Sequence, residues 1–407
     1  MTQKTKIDLL INKGVVIPNP ESVFIADDVD ISRISGEGVV LYSGTKIMGK
    51  DTFIMSDTIL GFESPVTIDN VFIGKGTRLN GGFFQKCAFA GNNTFGSGAH
   101  VRGGTILEEE ANAAHTVGLK QTVLFPFVTL GSLINFCDCL MAGGTSRKDH
   151  SEVGSSFIHF NYTPNQDKAT ASMFGNVCEG VMLKSRPIFL GGQGGVVGPC
   201  TMAFGSVTAA GTIWRKDIKE PDRLMFGGGM RETVLERKVG VYSNVKRIFD
   251  NNIVYINSLT ALMSWYVHIR ELFADSSSYP LLVGMQNTLK SAIDERIKRV
   301  ADFVKKLDIS REIILSGNGG KITPLVEEHD NVIKQWQDFD INVSDPAGAI
   351  LDKIKDETNL PPEQFMLAVQ NGIKEYGQDY IRVIQNLDNS SSQLGSRWLE
   401  RGFYGKA

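Results

Sequence analysis

The fold is decided by Phe89-Ala-Gly-Asn-Asn-Thr-Phe95-Gly-Ser-Gly-Ala-His-Val101. In this stretch a large apolar residue recurs every six positions, and small or polar residues fill the intervals. A six-residue period fits neither the 3.6-residue repeat of an α-helix nor the two-residue repeat of a single strand. It is typical of a parallel β-helix, in which each flat face of a triangular coil is one hexapeptide.

The same spacing recurs on both sides of this stretch. Leu60 precedes Val66 by six residues, and the spacing returns from Val197 through Ala203 to Ala209. The repeat is interrupted at residues 106–115 and 143–152, which predicts loops inserted into the coil at these two places. We therefore predict a β-helix over residues 1–230. We expect its function to depend on the side chains and loops that project from the coils.

Beyond this region the pattern becomes helical. A charged and glycine-rich stretch near residues 216–229 is followed by apolar residues three, four and seven apart, which predict amphipathic helices. Thr323-Pro324 and Pro361-Pro362 predict the starts of two of these helices. Residues 231–407 are therefore predicted to form a second domain, an antiparallel helical bundle.

Composition narrows the class of protein. The 407 residues carry a net charge of −3, which argues against a dedicated nucleic-acid surface. No run of eighteen apolar residues is present, so no membrane span is expected. Five cysteines without a C-x-x-C pair indicate free thiols in a reducing compartment, and the absence of a secretory signal favours the cytoplasm. His268 and His329 have no partner at metal-ligand spacing, so no metal site is predicted.

Charged residues are few within the predicted coils, so those beside motif-like stretches stand out. Residues distant in sequence stack on successive coils, and Arg102, Lys120 and Lys168 are therefore expected to converge on one anion. An arginine fork and lysine point charges suit a phosphate or pyrophosphate. Asn161 and Tyr162 add donors and acceptors suited to sugar hydroxyls. The alternative for each residue alone is a solvated surface side chain.

This region resembles the acetyltransferase half of the bacterial bifunctional N-acetylglucosamine-1-phosphate uridyltransferase family, a left-handed β-helix. That family has an Arg followed eighteen residues later by a Lys, and Arg102 and Lys120 have that separation. The family's Ile-Gly-Ala-Gly-Thr-Ile-Thr-Cys-Asn-Tyr is similar to Val153-Gly-Ser-Ser-Phe-Ile-His-Phe-Asn161-Tyr162. Gly205-Ser-Val-Thr-Ala-Ala-Gly-Thr-Ile213 resembles its final Ala-Thr-Ile-Ala-Ala-Gly-Thr-Thr-Val. The resemblance covers about residues 70–216 and does not extend to the uridyltransferase half.

The resemblance implies a chemistry. The family transfers an acetyl group from acetyl-CoA to the amine of glucosamine-1-phosphate, and such coils form homotrimers with the site between neighbouring subunits. Arg102 and Lys120 would hold the phosphate of a sugar phosphate or of a nucleotide sugar such as UDP-N-acetylglucosamine. By the same resemblance, the sugar is contacted by Asn161, Tyr162 and Lys168, and the CoA arm lies near Ser206, Ala209 and Ala210.

The catalytic position departs from the family. The family's catalytic His falls on Ser132 and its neighbouring Tyr on Asn135. A serine hydroxyl is not a base near neutral pH as an imidazole is. His159, two residues before Asn161, is the predicted substitute base, although it is equally a residue stacked inside a coil. His115, just before Lys120, is the second candidate.

The sequence thus predicts a left-handed parallel β-helix followed by an α-helical bundle. The leading functional prediction is CoA-dependent N-acetyl transfer to an amino sugar that carries phosphate or a nucleotide. The alternative is a non-catalytic sugar-nucleotide-binding or regulatory β-helix, which Ser132 favours. A scaffold with the bundle as its docking surface is the third hypothesis.

Overall fold

The computed structural model of the chain describes residues 3–227, 232–234, 236–339 and 345–401. Its first part is a parallel β-solenoid of about 11 turns, and a helical region follows. This β plus α arrangement confirms the fold class predicted from the hexapeptide repeat. None of the helices in these parts of the chain combines the length and the apolar character that a membrane crossing requires.

The coils place short parallel strands on three faces, numbered I to III here. Face I consists of β1 (Phe24–Ile25), β3 (Lys46–Met48), β6 (Val66–Asp69), β9 (Gly82–Gln85), β12 (Ala99–Val101), β15 (Val117–Leu124), β17 (Ile134–Met141), β21 (Ile158–Phe160), β24 (Gly195–Val197) and β27 (Ile213–Trp214). Face II consists of β2 (Val40–Leu41), β5 (Ile59–Leu60), β8 (Arg78–Leu79), β11 (Thr94–Phe95), β14 (Asn112–Ala113), β16 (Thr129–Leu130), β20 (Glu152–Val153), β23 (Phe189–Leu190), β26 (Val207–Thr208) and β28 (Leu224–Met225). Face III consists of β4 (Phe53–Ile54), β7 (Phe72–Ile73), β10 (Cys87–Phe89), β13 (Thr105–Leu107), the second halves of β15 and β17, β22 (Ser172–Phe174) and β25 (Thr201–Met202).

Two strands are long enough to turn a corner. Strands β15 and β17 pass from face I to face III at Gln121 and Asp138, whose φ angles of 52° and 55° lie in the left-handed region. Asp138 therefore lies at the corner where the outer surfaces of faces I and III meet.

Inward side chains from the three faces form the core of each coil. Phe84 on face I, Phe89 on face III and Phe95 on face II are fully buried, and their ring centroids lie 5.7–5.8 Å apart in edge-to-face contacts. Aromatic rings favour this arrangement over flat stacking. The six-residue period thus delivers one large apolar side chain from each face into the same layer.

An N-terminal helix, α1 (Gln3–Lys13), covers the first coil. Lys6 is buried, and its ammonium donates to the carbonyl oxygens of Ala26, Asp27 and Val29 at 2.7–3.0 Å. The end of a solenoid leaves backbone groups without a next coil to pair with, and α1 satisfies part of this edge. The hexapeptide pattern alone does not suggest a helix there.

One of the two predicted loops is wrong. Residues 106–115 remain within the coil and contribute to β13 and β14, which pair in register with neighbouring strands. Residues 143–152 do leave the coil and form the antiparallel hairpin of β18 (Gly144–Ser146) and β19 (Asp149–His150). A second excursion follows β21 as a loop over residues 161–171, and the short helix α2 (Val177–Gly180) follows β22.

The helical region begins at Val245. Thr323 caps the third of its helices by accepting from the backbone N–H of Val326, as the Thr-Pro pair predicts. Short 3₁₀ turns lie at Pro20–Ser22, Ile31–Arg33, Arg270–Phe273 and Glu357–Asn359. The helices of this region are α3 (Val245–His268), α4 (Tyr279–Gly317), α5 (Pro324–Asp338), α6 (Pro346–Lys355), α7 (Glu363–Tyr376), α8 (Tyr380–Gln385) and α9 (Asn389–Leu399).

The helices pack on face III rather than standing apart from the solenoid. Helix α4 crosses β7, β10 and β13, and α3 lies against β22. A methyl group added at Gly284 of α4 would lie 2.1 Å from the ring of Phe72, so this close approach requires glycine. Face III is therefore covered within the chain itself.

Candidate functional site

Arg102 and Lys120 occupy neighbouring positions on successive coils. Val101 pairs with Leu119, which places Arg102 beside Lys120, and Lys120 pairs with Cys137 on the next coil. Burial raises the pKa of the Cys137 thiol to about 11, while the nearby Arg102 and Lys120 act in the opposite direction. Both cations therefore lie within electrostatic reach of one sulfur atom, and their convergence on one anion stays a prediction.

Asp138, the residue after Cys137, joins Asn161 to the helical region. Its Oδ2 accepts a hydrogen bond of 2.8 Å from Asn161 Nδ2, and its Oδ1 accepts one of 2.9 Å from Arg296 Nη2 of α4. The amide of Asn161 is thereby held with its Oδ1 available as an acceptor. The sequence motifs do not include Asp138 or Arg296, although a lone carboxylate within the apolar strand β17 is itself a signal.

The other predicted sugar contacts lie in the loop over residues 161–171. Tyr162 is 77% exposed. Lys168 is also exposed, with φ of 58°, and its backbone N–H bonds Thr163 Oγ1. Arg102 and Lys120 occupy neighbouring positions on successive coils, and Asn161 contacts Asp138, which follows Cys137, the strand partner of Lys120. In the part of the chain that the structure describes, no side-chain contact joins Lys168 to Arg102 or Lys120.

His159 points into the solenoid. It is 1% exposed, its Nε2 lies 2.8 Å from Ser172 Oγ, and its ring meets Phe136 and Phe174 edge to face. Burial lowers the pKa of His159 to about 4. A neutral imidazole enclosed in the core has no path to an external amine, so its burial counts against the predicted role of base.

His115 lies instead at the surface beside the family's catalytic position. Its Nδ1 is 3.0 Å from Ser132 Oγ, and the backbone N–H of Ser132 bonds Ser155 Oγ at 3.1 Å. His115 precedes β15 and Ser132 precedes β17, so both sit at the corner between faces II and I. His115, one coil before Ser132, therefore places an imidazole next to the position on which the catalytic histidine of the resembled family falls.

Face I is open between this corner and the cationic pair. Asn135 is exposed there, and its Oδ1 accepts from the Cys137 thiol at 3.1 Å. Gly118 pairs with His100 on one side and Asn135 on the other. A Cβ atom at Gly118 would meet only Asn135 Oδ1 and a backbone oxygen at 3.8 Å, which is ordinary contact. A ligand can therefore lie over Gly118.

The predicted CoA-side residues differ in exposure. Ser206 is fully buried, and its Oγ has no hydrogen-bond partner among the described residues. Ala209 is half-buried and Ala210 is exposed at a corner after β26. The backbone around Ala209 and Ala210 is thus accessible, while the hydroxyl of Ser206 faces the core.

No protein-family model matches the chain. The chain is similar to known proteins named bifunctional protein GlmU. It is 27% identical over 221 residues to the one from Nocardia farcinica and 25% identical over 221 residues to the one from Mycolicibacterium smegmatis. A third, from Geobacillus sp., is 25% identical over 207 residues. These matches cover 51–54% of this chain and 39–40% of the relatives' own length.

The chain therefore spans about two fifths of the length of these relatives. The part that matches is their C-terminal acetyltransferase part, and the homologues cover about 54% of this chain. This confirms the family resemblance derived from the residue motifs and supports an acetyltransferase-like β-helix protein.

Proposed function

We propose that this protein binds an amino sugar that carries phosphate or a nucleotide and transfers an acetyl group to its amine from acetyl-CoA. The observation that carries the proposal is the adjacency of Arg102 and Lys120 on successive coils, with Asn161 held by Asp138 on the coil that follows Lys120. These are the residues that the family resemblance assigns to phosphate and sugar.

The cationic pair suits a phosphate by its chemistry. Arginine presents a planar fork for two oxygens, and lysine adds a point charge whose stem lets it follow the ligand. Arg102 is exposed and Lys120 is half-buried, so both charges remain accessible from face I. The sugar would then extend over Gly118, with the Oδ1 of Asn161 accepting from a hydroxyl.

His115 is the base in this proposal, in place of His159. In the tautomer whose Nδ1–H donates to Ser132 Oγ, the lone pair of Nε2 is available to take a proton. The sugar amine attacks the thioester carbonyl of acetyl-CoA, the amide C–N bond forms and the C–S bond breaks. The proton taken from the amine leaves with the CoA thiol.

A homotrimer would complete the site. Because α3 and α4 cover face III, only faces I and II remain for contacts between copies of the solenoid. The accessible backbone at Ala209 and Ala210 would then lie near the CoA arm, with a neighbouring subunit closing the cleft.

The non-catalytic alternative rests on Ser132. If His115 does not replace the family's imidazole, the protein retains the phosphate and sugar contacts without a base. It would then bind a nucleotide sugar such as UDP-N-acetylglucosamine without turning it over.

Calorimetry with glucosamine-1-phosphate, UDP-N-acetylglucosamine and acetyl-CoA, followed by an assay for released CoA thiol, separates these possibilities. Arg102→Ala and Lys120→Ala should each weaken sugar-phosphate binding by about 1.5–3 kcal/mol, the range of a hydrogen bond to a charged group. Arg78→Ala on face II is the matched control for loss of an exposed cation. Unchanged affinity in both site variants would refute the phosphate site, and binding without thiol release would support the alternative.

A further inference from the structure

The loop over residues 161–171, called the acceptor loop here, is held from outside the solenoid. It carries three of the predicted sugar contacts, Asn161, Tyr162 and Lys168. Its own hydrogen bonds are local, such as Gln166 N–H to Thr163 O and Ala169 N–H to Asp167 Oδ1. Such a loop loses considerable conformational entropy when it is ordered, so a fixed geometry needs further contacts.

Four side chains that follow the solenoid in sequence supply these contacts. Tyr242 donates its hydroxyl to Asp167 Oδ2 at 2.7 Å, and Asn252 Nδ2 of α3 donates to Ala169 O at 3.0 Å. Lys306 of α4 donates its ammonium to Asn165 O. The fourth is Arg296, which acts through Asp138 on Asn161.

The Arg296 contact fixes the orientation of an amide. Arg296 and Asp138 side chains are 3% and 5% exposed, so their ion pair is sequestered from water and weakly screened. With Oδ1 of Asp138 occupied by the guanidinium, Oδ2 accepts from Asn161, which presents Nδ2 to it. The Oδ1 of Asn161 therefore points away, as an acceptor for a sugar hydroxyl.

Tyr242 likewise acts on the acceptor loop through a buried carboxylate, that of Asp167. Asp167 is buried, and burial raises the pKa of Tyr242, so the phenol stays protonated and donates to the carboxylate. Asp167 Oδ1 in turn accepts from the backbone of Ala169. One phenol thus holds the middle of the acceptor loop.

We propose that the helical region and the segment leading into it position the acceptor loop for sugar binding, with Tyr242 and Lys306 as positioning residues. This inference rests on the proposed function, because it assigns the loop the sugar of that same ligand. It gives the helical region a role in ligand recognition: the phosphate is bound by the solenoid alone, and the sugar is bound by a loop that the helices hold.

The test compares two variants with two matched controls. Tyr242→Phe and Lys306→Met each remove one contact to the loop. Tyr266→Phe removes a similar buried phenol–carboxylate bond of 2.7 Å, to Glu108 Oε1, in another part of the joint between helices and solenoid. Lys305→Met removes the neighbouring exposed ammonium of α4.

The probes are glucosamine-1-phosphate and inorganic phosphate. Tyr242→Phe and Lys306→Met each remove one hydrogen bond that holds the loop. Each should therefore weaken glucosamine-1-phosphate binding about 3- to 10-fold. Inorganic phosphate should bind all four variants as it binds the wild type, because Arg102 and Lys120 lie outside the loop. Amide hydrogen exchange over residues 161–171 should accelerate in the two loop variants only.

Three results would overturn the proposal, and they are distinguishable. If the wild type binds neither glucosamine-1-phosphate nor UDP-N-acetylglucosamine, the proposed function fails and the positioning role fails with it. If the wild type binds and the loop variants bind equally well, only the positioning role is wrong. If Tyr266→Phe loses as much affinity as Tyr242→Phe, the effect reflects general stability.

Discussion

The imidazole of His115 separates the catalytic proposal from its alternative. Because its Nδ1 contacts Ser132 Oγ and its ring is exposed, His115→Ala should lower the rate of CoA thiol release by about 10²–10⁴-fold. Sugar-phosphate affinity should change little, since the proposal assigns the phosphate to Arg102 and Lys120. Ser132→Ala, which removes only the orienting hydroxyl, should have a smaller effect. Full activity of His115→Ala would show that the base lies elsewhere.

Gly118 offers a test of where the ligand lies. A Cβ atom at Gly118 would meet nothing closer than 3.8 Å and the backbone there is a strand, so Gly118→Leu should fold normally. It would nevertheless fill the open surface between His115 and Lys120, and sugar-phosphate affinity should fall at least tenfold. Thr67→Leu, at an equivalent outward position of face I, is the control. Equal binding by Gly118→Leu and wild type would place the ligand away from face I.

The residues of the site were predictable only where coil register decides the contact. Arg102 and Lys120 become neighbours because one coil separates them, and the sequence spacing reveals this. His159 could not be judged in the same way, because Ile158 and Phe160 on either side of it point outward while the imidazole points inward. Here the polar residue of the strand is buried and its apolar neighbours are exposed, which is the reverse of the usual pattern. The Asp138–Arg296 pair joins positions 158 residues apart, which no local pattern encodes.

Side-chain contacts at Glu108 and Glu109, which directly follow β13, join the solenoid to the helical region. Glu108 is fully buried and accepts from Tyr266, while Arg270 pairs with Glu109 and lies 3.8 Å over the ring of Tyr380. Burial, opposed by Arg270 and reinforced by Glu109, raises the pKa of Glu108 to about 7. The folded state therefore holds a proton that the unfolded chain has released above its ordinary carboxyl pKa.

This shift predicts a pH-dependent stability. The contribution of protonated Glu108 is complete below about pH 4.5 and is lost as the pH rises through about 7, with a slope of at most about 1.4 kcal/mol per pH unit. His159 acts oppositely, because its lowered pKa destabilises the fold as pH falls from 6.5 towards 4. Denaturant unfolding of wild type and Glu108→Gln isolates the carboxyl: their stability difference should shift in favour of Glu108→Gln between pH 5 and 8. A constant difference would contradict the assignment.

The helices were predictable as elements because their signals are local. Thr323 is a cap followed by proline, and apolar residues repeat at helical spacing on either side of the break near Pro280. The loop predicted at residues 106–115 is wrong for a physical reason. The interrupted repeat suggests a break, but Tyr266 of α3 and Arg270 of the following 3₁₀ turn supply partners for Glu108 and Glu109, so the coil continues beneath them.

The docking of the helical region changes what the whole molecule can present to partners. A bare triangular solenoid offers three flat faces, and here α3 and α4 remove one of them. The sequence predicts a helical bundle but not the face on which it packs, because the packing contacts are individual pairs between residues distant in sequence. The same packing brings α4 to the acceptor loop, so fold and site become dependent on one another.

The exposed apolar side chains of face I predict where copies of the chain associate. Leu133, Ile158, Phe160 and Tyr162 are 55%, 41%, 37% and 77% exposed and lie on neighbouring coils beside Asn161. Ile158 and Phe160 lie on β21, Leu133 directly precedes β17 and Tyr162 lies in the acceptor loop, and exposed apolar residues grouped in this way predict an interaction surface. With face III occupied, a closed trimer through faces I and II would bury this patch and complete the ligand cleft.

Light scattering coupled to gel filtration tests this arrangement. The wild type should have roughly three times the mass of the 44.6-kDa chain, independent of concentration over the micromolar range. Ile158→Asp places a charge in the proposed interface and should shift the mass towards that of a monomer, because an unpaired buried carboxylate is costly. Leu367→Asp on α7, where the leucine is 53% exposed, is the matched control and should leave the mass unchanged. A wild-type monomer at every concentration would exclude the trimer, and the site would then have to bind its ligand on the open face of a single solenoid.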